Sequence, residues 1–148
     1  MKSLFLPAIL PAILLGALAL APALAYADTD AEVQAHEAVL DLAGAFTNDG
    51  FKLRDGTHTG ALNKGEAVLV QVNLYAGNQY WFSVATADPK TDVTINLYDE
   101  TGKLLKTDTY SDAHRAAAGF APDASGPYYV RIANPGPPAV YSLIYSYK

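Results

Sequence analysis

From Phe51 onward the chain alternates, and that alternation decides what it can fold into. Apolar residues fall at every second position in "AVLVQVNLY" (Val68, Val70, Val72, Leu74), "QYWFSVAT" (Tyr80, Phe82, Val84) and "DVTINLYDE" (Val93, Ile95, Leu97). The same holds in "SGPYYVRIAN" (Tyr128, Val130, Ile132) and "VYSLIYSYK" (Tyr141, Leu143, Tyr145, Tyr147). A period of two puts successive side chains on opposite faces of a strand, so each segment has one face to bury. "FKLR" and "THTGAL" read as further short strands, and "KLLKTDTY" as one over residues 103–110. "RAAAGF" is expected to be only a weak run. Turn chemistry separates the segments at Asp55-Gly56, Asn63-Lys64-Gly65, Thr101-Gly102 and "NPGPP". Seven to nine short antiparallel strands at regular spacing predict an all-β sandwich with wet outer faces.

Only one stretch next to this region has helical spacing. In residues 28–46 Ala35, Val39, Leu42, Ala43 and Phe46 recur along one side, with Glu32, His36, Glu37 and Asp41 on the other. Thr29 and Glu32 are spaced as a capping box, and "Asn48-Asp49-Gly50" supplies the stop. A helix this short is marginal alone, so its apolar stripe must dock on the β domain.

Ahead of it, "MKSLFLPAILPAILLGALALAPALAYAD" has one early Lys, an apolar run free of charge until Asp28, and the small-x-small pattern of Ala25 to Ala27. This predicts a secretory leader over residues 1–27, cut after Ala27 or alternatively after Ala25. Pro7, Pro11 and Pro22 argue against a spanning anchor, so no membrane association is expected once the leader is removed. The organisation expected is a leader (1–27), a helix and turn (28–50) and one β-sandwich domain (51–148), exported to the periplasm or beyond the cell. The chain has no cysteine, which removes disulfides, thiol catalysis and thiolate metal sites together. Ten Lys and Arg against fifteen Asp and Glu give a net charge of −5. Losing Lys2 with the leader makes the rest more acidic. Such a surface repels phosphate backbones, so nucleic acid is not an expected partner.

Four short patterns in order carry a family resemblance. They are Gly60/Leu62, the Ala76-Gly77 turn before an aromatic strand, the hairpin from Leu97 to Gly102, and the strand from Gly126 to Ile132. Over roughly residues 58–147 the chain resembles the bacterial pre-peptidase C-terminal domain. The resemblance implies a jelly-roll-like antiparallel β-sandwich and a non-catalytic role. Such domains are usually appendages of secreted peptidases, with carbohydrate-binding and collagen-binding modules among their relatives. No peptidase accompanies it here, so the resemblance implies a stand-alone module.

Residue parity supplies the candidate binding site. Trp81 lies opposite Tyr80 and Phe82, while Tyr129 and Arg131 lie opposite Tyr128, Val130 and Ile132. If their strands share a sheet, Trp81, Tyr129 and Arg131 form one aromatic and cationic platform, of the residue types that anchor interfaces and stack on sugars. The other arrangement docks the helix over Trp81, which explains the outward tryptophan and the apolar stripe at once.

Asp88 and Asp92 share a loop and are the candidate calcium ligands, with Asp108 and Asp112 near the next hairpin. Relatives sometimes hold calcium through loop acids, but the EF-hand spacing is absent. "His36-Glu37" starts like a zinc-protease helix, yet Leu40 stands where the second His belongs. Ser125 lacks the nucleophile-elbow pattern. No catalytic residues and no required cofactor are therefore assigned, and the chain is not expected to be an enzyme. The function expected is binding of a polysaccharide, a peptide or a partner protein. An accessory role beside a separately encoded enzyme is the alternative, and a small hydrolase with an unrecognised site the last. Oligomeric state is not readable.

Export of the full chain should yield a protein whose intact mass places the new N terminus at Asp28 or, failing that, Tyr26. A secreted product retaining Met1 would overturn the leader.

Overall fold

The computed structural model describes residues 28–148. The leader expected over 1–27 lies outside the described residues.

The chain begins with α1 (Asp30–Thr47), and its start is dictated locally. Thr29 is extended, its hydroxyl accepts from the Glu32 N–H at 3.2 Å, and the Thr29 N–H donates to the Glu32 carboxylate at 2.7 Å. This is the reciprocal capping box expected from the spacing. Asn48 ends the helix and Gly50 turns the chain in the left-handed region.

Nine strands follow: β1 (Lys52–Leu53), β2 (His58–Leu62), β3 (Ala67–Leu74), β4 (Tyr80–Thr86), β5 (Thr94–Tyr98), β6 (Asp108–Asp112), β7 (Arg115–Phe120), β8 (Gly126–Ala133) and β9 (Ala139–Tyr147). They form two antiparallel sheets. One runs β1-β9-β4-β7-β6, with β2 also paired to β9; the other runs β3-β8-β5. From β2 onward the chain crosses from sheet to sheet at nearly every connection, and β6–β7 is the hairpin that stays within one. The all-β sandwich with one helix is the architecture that alternation implies.

The core lies between the sheets. Val70, Val72 and Leu74 of β3, Val130 and Ile132 of β8, and Ile95 and Leu97 of β5 face Tyr80, Phe82 and Val84 of β4 and Tyr141 and Leu143 of β9. Every one has the parity read from the sequence. Asn134, 1 % exposed, closes one end. Its amide donates to the carbonyls of Leu62 (3.1 Å) and Pro137 (2.7 Å), and its carbonyl accepts from the Gly136 N–H (2.9 Å), so the "NPGPP" turn is held from inside.

Two expectations are corrected. The strand expected over 103–110 is displaced: Leu104 makes an isolated bridge to Tyr98, and regular pairing starts only at Asp108. Lys103 to Leu105 close the hairpin after β5 instead, with the Leu105 N–H donating to the Leu97 carbonyl at 2.9 Å. "RAAAGF" is not weak. It is β7, an interior strand between β4 and β6, with Ala116, Ala117, Ala118 and Gly119 all buried. Alanine and glycine have poor strand propensity, but propensity measures packing on an average sheet. Here both faces of the strand are covered and only small side chains fit.

The outer face of the six-stranded sheet shows why. Cross-strand register sets Trp81 beside Gly119 and Ser146, Ser83 beside Ala117 and Ile144, and Ala85 beside Arg115 and Ser142. This floor is nearly flat, and α1 lies along it over β4 and β9 with Ala35, Val39, Leu42 and Ala43 buried. Val39, Ala43, Ala85 and Ile144 make a second, smaller apolar cluster.

A methyl group at Gly119 would stand 2.9 Å from Cζ2 of Trp81. Gly119→Ala should therefore destabilise by about 1–3 kcal/mol through overpacking in urea titration. Gly44→Ala, on the exposed side of α1 with nothing within 4 Å, should stabilise by about 0.5–1 kcal/mol. Equal effects would refute the close contact.

Candidate functional site

The structure separates the three platform residues. Trp81 is on β4, on the outer face of the six-stranded sheet, whereas Tyr129 and Arg131 are on β8, on the outer face of the other sheet. The single platform is thus corrected to two opposite faces of the sandwich. Parity was right for all three, but it says nothing about which sheet a strand joins.

Trp81 is covered. Phe46 of α1 stacks on it with ring centroids 4.3 Å apart and planes 9° from parallel. On the other side lies Gly119: its Cβ position is 2.9, 3.0 and 3.0 Å from Cζ2, Cε2 and Cη2, nearly equal distances that face the ring plane rather than its edge. Both faces of the indole are occupied, so no flat ligand can stack there. Only the ring edge reaches a groove of about 450 Å³ beside Phe51, Lys106 and Phe120.

Tyr129 and Arg131 remain open. Central strand β8 lends its outward residues to a three-strand row in register. Tyr129 sits between Gln71 of β3 and Tyr98 of β5, and Arg131 between Leu69 and Asn96. Leu69 is 61 % exposed, Gln71 is exposed, and Tyr98, Asn96, Tyr129 and Arg131 are half-buried. Leu69, Tyr98, Tyr129 and Arg131, together with the 99–102 turn, line a shallow depression of about 460 Å³. That turn is rigid. The Asp99 carboxylate accepts from the Thr101 hydroxyl (2.6 Å) and from the N–H groups of Thr101 (2.9 Å) and Lys103 (3.0 Å). The Thr101 hydroxyl foremost, then the Lys103 N–H, hold this carboxyl below its usual range. Among the described residues the ion pairs are those of Arg115, so the Arg131 guanidinium is not committed to a carboxylate.

Such a surface offers two phenol rings, a guanidinium fork and two side-chain amides on a stiff sheet. These groups match a flat, polyhydroxylated or peptidic ligand in chemistry. Sequence reasoning missed Tyr98, Leu69, Gln71 and Asn96. Their parity opposite Ile95, Leu97, Val70 and Val72 was a sufficient signal for facing outward, but nothing in it marked β3 and β5 as the neighbours of β8.

The calcium candidates do not gather. Asp88 accepts from the Lys90 N–H at 2.9 Å, closing its own turn. Asp92 borders a depression between β5 and β6 that Asp112 also reaches, but among the described residues no three acids or histidines stand together. Asp112 is committed elsewhere. It accepts from Arg115 at 2.6 Å and from the Tyr110 hydroxyl at 2.7 Å, while Arg115 reaches Asp41 of α1 at 2.9 Å. His36 and Ser142 approach to 3.5 Å, but Ser142 is fully buried beneath α1, where a substrate has no access.

The Arg115 hydrogen bond lowers the Asp112 pKa from 3.8 to about 2. A depressed carboxylate contributes stability that is present above its unfolded value and lost as pH falls through the folded one. Asp112→Asn should cost about 1 kcal/mol at neutral pH for this partly exposed pair, and flatten the loss of stability between pH 4 and pH 2. Parallel pH profiles for the two proteins would overturn this.

No family model matches the chain, and no curated protein matches it.

Proposed function

We propose that this is an exported, non-catalytic binding module that takes a polysaccharide chain on the open face of its three-stranded sheet. The observation that carries the reading is the asymmetry of the sandwich. One outer face is sealed by α1, with Trp81 locked between Phe46 and Gly119. The other is not covered by the helix, and there Tyr98, Tyr129 and Arg131 stand half-buried in register beside the exposed Leu69 and Gln71.

The chemistry favours a glycan. Aromatic rings present a face to the C–H side of a sugar ring, and the amides of Asn96 and Gln71 with the Arg131 fork bind hydroxyls on either side. The surface is flat and lies on strands rather than loops, as an extended polymer requires. The resemblance to the pre-peptidase C-terminal domain supports the same reading, since its relatives include carbohydrate-binding modules.

Glycan and peptide arrays probed with the processed chain, followed by titration calorimetry, test this. A polysaccharide should bind, and Tyr129→Ala or Arg131→Ala should each weaken it roughly tenfold or more with little change in melting temperature. Trp81→Ala should cost about 3 kcal/mol of stability and leave the affinity of the folded protein unchanged. Wild-type affinity in Tyr129→Ala, or no array ligand together with turnover of a simple ester or glycoside, would reverse the assignment.

A further inference from the structure

Resting on the polysaccharide reading of the open sheet, we infer that its ligand is a 2-acetamido glycan, whose acetamide is read by the row Leu69, Arg131 and Asn96. Register brings these side chains together: Arg131 of β8 pairs with Leu69 of β3 on one side and with Asn96 of β5 on the other. All three point outward, since their strand neighbours Val70, Val130 and Ile95 are buried in the core. The row offers three chemistries in order: an apolar surface, a fork of N–H donors and an amide carbonyl that accepts. Leu69, at 61 %, is the most exposed large hydrophobic side chain among the described residues, and Arg131 enters no ion pair among them. An acetamide carries the matching features in the same order: methyl, carbonyl oxygen and N–H.

Size agrees. Two strand spacings set Leu69 and Asn96 about 10 Å apart across the sheet. A methyl in van der Waals contact with Leu69 stands off by about 4 Å, and an N–H donating to the Asn96 side chain by about 3 Å. About 2.5 Å is left between them, close to the span from methyl carbon to nitrogen across an amide. Tyr98 and Tyr129 stand opposite each other two residues along the same strands, about 7 Å from this row. A pyranose stacked on their rings has its C2 substituent within reach of Arg131.

Other substituents fit worse. A 2-hydroxyl leaves Leu69 facing water. A uronate satisfies the guanidinium but brings neither methyl nor N–H, and the net charge of −5 opposes a polyanion. No outward residue of the three strands is a carboxylate that could chelate a pair of hydroxyls; Asp99 and Glu100 stand past the tyrosines, in the turn after β5.

Titration calorimetry of the processed chain against β-1,4-linked hexamers tests this, because the hexamers of N-acetylglucosamine and of glucose differ only at C2. The acetamido hexamer should bind roughly tenfold tighter or more, and Leu69→Ala and Asn96→Leu should each shrink that ratio roughly fivefold with little change in melting temperature. A strand alternating N-acetylglucosamine with its 3-lactyl ether should also outbind the glucose hexamer, and its rank against the acetamido hexamer tells a cell-wall source from a chitin-type one. Equal affinity for the glucose hexamer, an unchanged ratio in both variants, or tighter binding of a uronate polymer would overturn the inference and leave the polysaccharide reading standing. An N-acetylated peptide that binds as tightly as the sugar, or no binding of any of these glycans, would overturn both.

Discussion

The structure depends on one packing constraint: the outer face of the six-stranded sheet must be flat enough for a helix to lie on it. Gly119, Ala117, Ala85, Ser83, Ser142 and Ser146 supply that flatness. Serine keeps the floor low at a cost, because the hydroxyls of Ser83 and Ser146 are buried without a protein partner, worth about 1–3 kcal/mol each. Against this stand the apolar cluster around Val39 and Ile144, the Asp41–Arg115 pair and the Phe46–Trp81 stack. The stack is the most specific, since it needs glycine on the neighbouring strand. The largest side chain on the floor, Trp81, is accommodated by removing the side chain beside it.

That arrangement makes the two outer faces of the sandwich unlike. A sandwich has two outer faces, and this one spends its helix on the larger. The smaller sheet is left with its central strand exposed and its two flanking strands in register. Ligand contact there would require little ordering, because the side chains stand on paired strands braced by the Asp99 turn. The same covering that removes Trp81 from consideration makes Tyr98, Tyr129 and Arg131 stand out.

How much of this the sequence displays follows from which interactions are local. The capping box at Thr29 and Glu32, the alternation in β3, β4, β5, β8 and β9, and the turn at Asn134 are near-neighbour effects, and each was legible. Sheet membership was not. Tyr129 and Trp81 have the same outward parity, but β8 pairs with β3 and β5 while β4 pairs with β7 and β9, and those choices are made across long stretches of chain. Nor was the strand character of "RAAAGF" legible. It arises from what covers the residues, and the sequence around Ala116 to Gly119 contains nothing of the helix some seventy positions earlier. Of the candidate site, Tyr129 and Arg131 were therefore singled out by parity, while Leu69, Gln71, Asn96 and Tyr98 waited on knowing the neighbours of β8.

The floor under α1 also joins distant parts of the described chain. Its widest part is β9, the last strand, and Lys148 returns to the start of the domain, with its ammonium 4.5 Å from the Phe51 ring centroid and 3.2 Å from the Asp49 carbonyl. The earliest element of the described chain thus completes its seat only with the latest one in place. Closing that contact spans almost the whole length of the domain, the kind of distant pairing that slows folding. Without it, part of the apolar stripe of α1 would be unsheltered, so the first and last elements of the described chain clasp each other.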